Sequence, residues 1–322
     1  MSPSLPNLAR RLKHRHLELL IAIAHHGSLT RVAAQAGISQ PAATKALLEI
    51  EDIFEAPLFL RTGRGLQATP LGELAIARAR RMHNDLSLWA REVQALQQGH
   101  AAHLHVGAVP YVSSALLSAA IATLHARHGV TLTLHRATTD HLLPMLRRHE
   151  LDCMIGRVSA FTELDGLAHE VLYHQRPCLI AHAQLARRLQ ARAPDWAGVA
   201  AMRWVLPEVK TPTRHLIAEH FIRQGLPPPT PIVEAYSTDV IEGLLGNDDT
   251  LISVVPEEIA QELAARGRIG RIDWDWGWNL PPINLIRRVR SDERTPAAEA
   301  ALEDILREYC ARMPADNNGG KR

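Results

Sequence analysis

Residues 39–45 place polar side chains at regular spacing near the start of the chain. Ser39 followed by Pro41 is typical of a helix start, with Ser39 as the N-cap and Pro41 in the first turn, where a missing N–H does no harm. Three apolar residues recur at helical spacing and should face a core: Ala43, Leu47 and Ile50. The opposite face carries five side chains: Gln40, Pro41, Thr44, Lys45 and Leu48. An amide, a hydroxyl and an ammonium group suit base edges and phosphates in a major groove.

A second helix must hold this face in place, and the sequence predicts one over residues 30–36. Gly37 breaks that helix, and Ala33 is small enough to lie where two helices cross. Two short helices joined by a tight glycine-containing turn form a helix-turn-helix. Helix–Gly–helix segments occur in many all-helical proteins, so this geometry alone leaves the function open.

The segment that follows favours nucleic-acid binding. Residues 57–70 predict two short extended pieces around a Gly-Arg-Gly turn, which is typical of a wing. Arg61 and Arg64 are then placed to meet a phosphate backbone or a minor groove.

Several motifs follow one another in a fixed order here: Ser39-Gln40-Pro41-Ala42, Leu47, Glu51, Leu58-Phe59-x-Arg61, Gly63-Arg64-Gly65 and Thr69-Pro70-x-Gly72. This string resembles the N-terminal domain of LysR-type transcriptional regulators. The chain departs from the family at Ala43-Thr44-Lys45, where Val-Ser-Arg is frequent. Lysine offers a point charge in place of a bidentate fork, so the base preference could differ.

The resemblance implies an α+β multidomain protein. Its parts would be an N-terminal winged helix-turn-helix over residues 1–70, a long dimerisation linker helix over 71–99, and a C-terminal two-lobed α/β effector domain over 100–313 that resembles periplasmic binding proteins. A disordered tail is expected at 314–322. The implied partners are double-stranded DNA, a small-molecule effector and RNA polymerase. Eight residues are predicted to contact DNA: Arg31, Ser39, Gln40, Pro41, Thr44, Lys45, Arg61 and Arg64.

Residues 71–98 predict a long helix with an apolar stripe at spacings of three and four. The stripe comprises Leu71, Ala75, Ala79, Met82, Leu86, Trp89, Val93 and Leu96. Sustained over nearly four heptads, it is typical of a coiled-coil seam that is buried against a partner chain. Five residues are predicted dimer contacts: Met82, Leu86, Trp89, Val93 and Leu96. A homodimer would read two half-sites of an inverted-repeat operator, and the resemblance extends this to a homotetramer.

From His103 onward, strands alternate with helices, a pattern that predicts a parallel sheet with helices on both faces. By analogy, the first lobe takes residues 103–177 and 282–313, and the second takes residues 178–273. The chain is expected to cross between lobes near Pro177 and Pro281-Pro282, because prolines suit extended connections.

A ligand in such a fold lies between the lobes, where strands end and helices begin. The predicted effector contacts are Tyr111, Ser113, Ser114, Thr138, Arg157, Pro207, Thr211, Thr213, Ser237 and Thr238. Each Ser or Thr could instead be a simple N-cap. Arg157 lies just beyond a buried strand. Its guanidinium could bind a ligand carboxylate through two parallel hydrogen bonds, or it could form a salt bridge with a surface acid.

The effector class is indicated only by resemblance. Residues 106–113 with Ile155-Gly156-Arg157 look similar to regulators responding to protocatechuate and to certain sugars, which suggests an aromatic acid or a monosaccharide. Two other functions remain open: an effector-independent, nucleoid-structuring DNA-binding protein, and an α/β enzyme. No GxGxxG, GxxxxGK[ST] or GxSxG motif supports the enzyme.

Composition narrows the remaining classes. The 322 residues carry a formal charge of +2, and no apolar run approaches the roughly 20 residues of a membrane span. A cytoplasmic protein without membrane partners is expected. Cys153, Cys178 and Cys310 are far apart and should be buried thiols, although a redox switch formed by the first two stays open. The 18 histidines show no ligand spacing such as HExxH, so neither a metal nor a cofactor is predicted.

Overall fold

The computed structural model describes Leu8 and residues 10–63, 65–158, 165–289 and 295–312. The chain forms two compact units, one covering residues up to Gln97 with Arg148–Glu150 and the other the remainder. Arg64 and the predicted tail lie outside the described residues. Within the described part, no helix is both long and apolar enough to cross a membrane.

The N-terminal unit begins with three helices: α1 (His14–His26), α2 (Leu29–Ala36) and α3 (Gln40–Phe54). Helix α2 ends at Gly37, whose φ of 64° is a left-handed conformation that glycine adopts without strain. The Ser39 hydroxyl then caps α3 by accepting a hydrogen bond from the Ala42 N–H. The predicted helix-turn-helix is confirmed, with the side chains of Ile23 and Ile50 fully buried in its core.

A two-stranded wing follows, formed by β1 (Phe59–Thr62) and β2 (Gly65–Ala68) in antiparallel register. Glu51 ties it to α3, because its Oε1 accepts hydrogen bonds from the Leu58 N–H at 2.7 Å and the Phe59 N–H at 3.1 Å. The wing predicted from the Gly-Arg-Gly turn is therefore present.

The long helix α4 (Pro70–Gln97) starts where predicted, with the Thr69 hydroxyl accepting from the Gly72 N–H at 3.0 Å. Ala75 and Ala79 are buried in the core that α1 also lines. Beyond them the stripe is exposed: Met82, Leu86, Trp89, Val93 and Leu96. The prediction of one continuous intermolecular seam is wrong for its first half, because α1 supplies an apolar face within the same chain.

The first sheet of the C-terminal unit has the strand order β4-β3-β5-β12-β6. Its strands are β3 (Ala102–Ala108), β4 (Val130–Arg136), β5 (Cys153–Gly156), β6 (Leu167–Gln175) and β12 (Leu280–Arg288). Its helices are α5 (Ser114–His128), α6 (Thr139–Arg147) and α12 (Ala297–Ala311). Strands β3, β4 and β5 run parallel, whereas β12 runs antiparallel to β5 and β6.

The second sheet has the order β11-β7-β10-β8-β9. Its strands are β7 (Pro177–His182), β8 (Arg203–Leu206), β9 (Pro231–Glu234), β10 (Leu251–Pro256) and β11 (Ile269–Ile272). Its helices are α7 (Ala183–Gln190), α8 (Trp196–Ala200), α9 (Pro212–Arg223), α10 (Thr238–Asn247) and α11 (Glu257–Ala265). Strands β8, β9 and β10 are parallel, and β7 is antiparallel to β10 and β11.

The predicted parallel pairing holds for β3, β4 and β5 and for β8, β9 and β10. It is wrong for β7 and β12, because a strand that follows a crossing between sheets enters in the opposite direction. The chain crosses at Arg176, between β6 and β7, and again between β11 and β12. Pro281 and Pro282 lie inside β12 and not at a crossing. The pairing of β12 with β6 shifts register there, which suits residues that cannot donate a ladder hydrogen bond.

Candidate nucleic-acid interface and ligand cavity

Helix α3 presents the polar face that its sequence predicted. Gln40, Pro41 and Lys45 are exposed, and Thr44 is half-buried. Gln40 Nε2 donates to Thr44 Oγ1 at 3.1 Å, and Thr44 Oγ1 donates to the Gln40 carbonyl at 3.0 Å. The Ser39 hydroxyl is engaged as the helix cap. Gln40 and Lys45 therefore offer the most accessible polar groups on this face.

Three of the predicted DNA contacts are exposed cations: Arg31 on α2, Lys45 on α3 and Arg61 on β1. Within the described part of the chain they form no ion pair, whereas Arg11 pairs with Asp52 and Arg15 lies 3.5 Å from Glu49. An unpaired surface cation keeps its full charge for a phosphate. Arg61 lies on β1 opposite Leu66, and Arg64 lies outside the described residues.

A cavity of about 190 Å³, here called the cleft cavity, lies between the two sheets of the C-terminal unit. From the first sheet's side it is lined by Val109, Pro110, Tyr111, Thr138, Thr139, Asp140, Leu143 and Arg157. From the second sheet's side it is lined by Pro207, Glu208, Lys210, Thr211, Pro212, Thr213 and Tyr236. Six of the ten predicted effector residues meet here: Tyr111, Thr138, Arg157, Pro207, Thr211 and Thr213.

The other four predicted residues do not line this cavity: Ser113, Ser114, Ser237 and Thr238. Ser113 caps α5 by accepting from the Leu116 N–H, and its hydroxyl donates to Glu262 Oε1 on α11. Ser237 caps α10. Thr211, although it lines the cavity, also caps α9. The N-cap alternative therefore applies to these three side chains.

Arg157 lies at the wall of the cleft cavity and is only 6% exposed. Its Nε donates to the Pro281 carbonyl at 3.1 Å, and its Nη2 donates to Gln175 Oε1. Burial lowers the pKa of Arg157, against the opposing influence of Tyr173 and Glu258. The Arg157 guanidinium is thus bound by two acceptors of the protein itself. It matches neither of the two predicted alternatives, a guanidinium free to bind a ligand carboxylate or a salt bridge to a surface acid.

Gln175 extends this arrangement to the second sheet. Its Nε2 donates to the Tyr111 carbonyl at 3.1 Å and to Glu258 Oε1, on α11, at 3.2 Å. Burial raises the pKa of Glu258, against smaller effects of hydrogen bonding and of the Arg157 charge. Sequence reasoning missed both residues. Gln175 ends β6 and Glu258 lies in the first turn of α11, but neither element was predicted from the sequence.

Tyr111 also joins the two lobes. It follows β3 of the first sheet, yet its ring packs in the hydrophobic core of the second, near Cys178 and Val205. Its hydroxyl is buried without a hydrogen-bond partner among the described residues, and burial raises its pKa. The buried ring therefore connects the first lobe to the core of the second. The hydroxyl group still has hydrogen-bonding capacity that no described residue uses.

A second cavity of about 520 Å³, the tryptophan cavity, lies in the second lobe. It is lined by Arg176, Pro177, Cys178, Glu257, Arg271, Asp273, Trp274, Asp275, Trp276, Gly277, Trp278 and Asn279. The Nε1 atoms of its three tryptophans have no hydrogen-bond partner within the described residues. The sequence analysis missed this cavity, although the run of alternating Trp with Asp or Gly at 273–278 is unusual enough to have signalled it.

The three cysteines are buried free thiols, as predicted. Burial raises the pKa of Cys178 to about 11 and that of Cys310 to about 12, and it also raises that of Cys153. A thiol that stays protonated is a poor nucleophile and a slow target for oxidants. Cys153 and Cys178 also lie in different sheets, so the redox switch gains no support.

A winged helix-turn-helix in one unit, and a two-lobed α/β domain with a cavity between its lobes in the other, define a class of DNA-binding regulators that carry their own ligand-binding domain. Residues 14–73 match the family described as "Bacterial regulatory helix-turn-helix protein, lysR family", and residues 97–311 match "LysR substrate binding domain". The chain belongs to the LysR family of transcriptional regulators.

Individual proteins agree with this assignment. The chain is 31% identical over 295 residues to the HTH-type transcriptional regulator GalR of Pseudomonas putida, covering 90% of this chain and 72% of GalR. It is 26% identical over 301 residues to GbpR of Azospirillum brasilense, covering 92% and 86%. The crystal structure of full-length CbnR with its target DNA has the same fold, with a TM-score of 0.63 at 20% identity over 92% of this chain and 99% of CbnR.

Proposed function

We propose that this regulator reads an inverted-repeat operator with the exposed face of α3 and with its wing. The observation that carries the proposal is that Arg31, Lys45 and Arg61 are exposed and form no ion pair within the described residues. Beside Lys45 on α3, the exposed Gln40 side chain is held by its hydrogen bond to Thr44. Ser39 and Pro41 position the start of the helix, and Arg64 remains a DNA contact predicted from the sequence. Lysine at position 45 supplies one phosphate or base contact per half-site.

The test is Lys45→Ala in full-length protein, measured by operator binding over a salt series. Loss of a phosphate contact should weaken binding to all sequences alike and lower the salt slope by about 1 per site, whereas loss of a base contact relaxes specificity at one position. Lys210→Ala, measured without ligand, removes the same charge from the C-terminal unit and serves as the control. Unchanged affinity in Lys45→Ala would remove Lys45 from the interface.

We propose that a small-molecule effector occupies the cleft cavity. The supporting observation is that side chains from both lobes line one cavity, so a ligand there contacts both and can shift their relative arrangement only by binding one arrangement better. A volume of about 190 Å³ suits a single-ring molecule. An aromatic acid or a monosaccharide fits this size and the mixture of apolar and polar lining groups.

A thermal-shift screen with aromatic acids and sugars tests this, since a ligand that binds the native state alone raises the melting temperature. Lys210→Ala distinguishes the two classes, because an acid should lose affinity with the cation while a neutral sugar should not. Arg176→Ala, in the tryptophan cavity, is the matched control. If only Arg176→Ala abolished the shift, the effector would lie in the tryptophan cavity. If no effector gave a shift, a nucleoid-structuring role without a ligand would be favoured.

The remaining parts of the proposal follow the family. The protein acts in the cytoplasm without catalytic turnover, as a homodimer formed through the exposed stripe of α4 and as a homotetramer on DNA. RNA polymerase is its partner at the promoter. Unaltered candidate ligands after prolonged incubation with the protein would support the absence of catalysis, and their conversion would contradict it.

A further inference from the structure

Three potential metal ligands meet on the surface of the N-terminal unit. His14 and Glu18 lie one turn apart on α1, and His83 lies on α4. One donor atom from each lies within 4.8 Å of the other two. His14 Nδ1 is 3.6 Å from Glu18 Oε1, and the rings of His14 and His83 stack with centroids 5.4 Å apart. The sequence could not signal this cluster, because its third member is far along the chain.

These separations are close to those of a metal site. Zinc binds imidazole nitrogen and carboxylate oxygen at about 2.0–2.2 Å, so two ligands at a tetrahedral angle lie roughly 3.4 Å apart. The His14–Glu18 separation of 3.6 Å is already close to this value. His83 lies within 4.8 Å of both, so it needs to approach by at most about 1.4 Å. His14 and Glu18 are exposed, with 45% and 55% of their side chains accessible, so both can turn toward an ion without unpacking a core.

The surroundings of His83 give a second, independent indication. Its Nδ1 is buried without a hydrogen-bond partner among the described residues, a state that buried polar atoms rarely keep. A cavity of about 240 Å³ adjoins it and is lined by both Glu18 and His83. His25 and His26 line the same cavity, so further imidazole nitrogen lies close by.

We propose that His14, Glu18 and His83 bind one divalent transition-metal ion of the zinc type. Two imidazoles and one carboxylate are the ligands that zinc accepts, whereas magnesium and calcium prefer an all-oxygen set. The fourth position is open to water. His83 stands one helical turn beyond Ala79, the last stripe residue of α4 packed in the domain core. The ion therefore fastens α1 to the linker helix where that helix leaves the domain.

Zinc binding to metal-free, untagged full-length protein tests the proposal, with a chromophoric chelator as competitor and magnesium as the comparison ion. One site per chain should bind zinc and not magnesium. His83→Ala and His14→Ala should each weaken that site at least tenfold, whereas His128→Ala, at an exposed histidine of α5, should leave it unchanged. His83→Cys should retain binding, because a thiolate can replace the imidazole.

Wild-type zinc affinity and stoichiometry in both His83→Ala and His14→Ala would overturn the proposal and assign the ion to other histidines. Should either variant fail to fold, Glu18→Gln decides, since it is exposed and nearly isosteric. It should bind zinc about tenfold more weakly and lose the zinc-dependent rise in melting temperature. The same rise in Glu18→Gln and wild type would exclude the site.

Discussion

The guanidinium of Arg157, which lines the cleft cavity, donates a hydrogen bond to the side-chain amide oxygen of Gln175 inside the C-terminal unit. Gln175 Nε2 in turn donates a hydrogen bond to Glu258 Oε1. A residue of the first sheet is thus linked to α11, which packs beside the second sheet. Because Arg157 also lines the cavity, a ligand that drew its guanidinium away would loosen the linkage between the lobes. In the proposed function, effector binding and the arrangement of the lobes would both depend on the buried Arg157 side chain.

Arg157→Met should destabilise the protein by about 3 kcal/mol, because it leaves Gln175 and Glu258 buried without their cationic partner. Arg188→Met, at an arginine that is 64% exposed and lies 4.0 Å from Asp249, should change the free energy of unfolding by less than about 1 kcal/mol. Urea denaturation followed by tryptophan fluorescence measures both. Equal losses in the two variants would show that the buried network adds nothing to stability.

The exposed half of the α4 stripe predicts the oligomeric state. Val93→Glu places a carboxylate on the stripe and should dissociate the dimer, because a charge buried in an apolar interface is strongly unfavourable. Gln94→Glu adds the same charge one residue away, off the stripe, and should leave the dimer intact. Sedimentation velocity distinguishes the two. A dimer that survives Val93→Glu would place the interface elsewhere.

Two glycines in helices should respond to alanine in opposite ways. At Gly72 the new Cβ would fall against the Leu58 carbonyl oxygen, well inside van der Waals contact, forcing α4 away from the wing. We expect a loss of roughly 1–3 kcal/mol. Gly243, on α10, faces open space, so alanine should gain about 0.5–1 kcal/mol from helix propensity. Thermal unfolding measures the melting temperature of both variants. A shift of the two melting temperatures in the same direction would contradict the prediction.

His220 predicts a pH dependence of stability. Burial lowers its pKa, against a smaller opposing effect from a hydrogen bond with the Trp276 backbone. As pH falls below about 6.5, the unfolded chain takes up a proton that the folded chain does not, and the free energy of unfolding falls by up to about 1.4 kcal/mol per pH unit. This contribution is absent above the unfolded pKa and grows toward the lowered folded pKa.

His220→Phe should remove that contribution, since phenylalanine keeps the ring contacts with Trp196 and Trp276 and does not titrate. The measurement is the difference in unfolding free energy between pH 7.5 and 5.5, which should be smaller in His220→Phe than in wild type. A residual dependence is expected from His16, whose pKa is also lowered by burial. His128→Phe, at an exposed position, controls for the substitution. An unchanged pH profile in His220→Phe would contradict the assignment.

Sequence patterns predicted the elements whose signals are local. Ser39, Pro41 and Gly37 define helix boundaries through their own backbone preferences, and the structure follows them. Strand β6 was missed because His169, Glu170 and His174 interrupt its apolar residues, so its place beside β12 depends on tertiary pairing. Strand direction after Arg176 was also beyond local signals, because a crossing between sheets reverses it.

The candidate sites divide in the same way. The polar face of α3 follows from helical periodicity alone. A Ser or Thr at a helix start looks the same in the sequence whether it caps the helix or contacts a ligand. Ser113 and Ser237 could therefore be distinguished from Thr213 only once the cavity was known, because Thr213 lines it and the two serines do not. The cluster of His14 and His83 depends on how α1 packs against α4, which no spacing within either helix encodes.

The packing of Ala75 and Ala79 on the domain core has a mechanical consequence for DNA recognition. From Ala79 to Gln97 one uninterrupted helix extends roughly 27 Å, at 1.5 Å per residue. Because its first turns are packed in the core, this helix has no flexible joint between the winged helix-turn-helix and the exposed stripe. In the proposed dimer, the separation of the two half-sites would then be set by the register between the stripes of the two chains. An operator of altered spacing would have to be accommodated by bending the DNA.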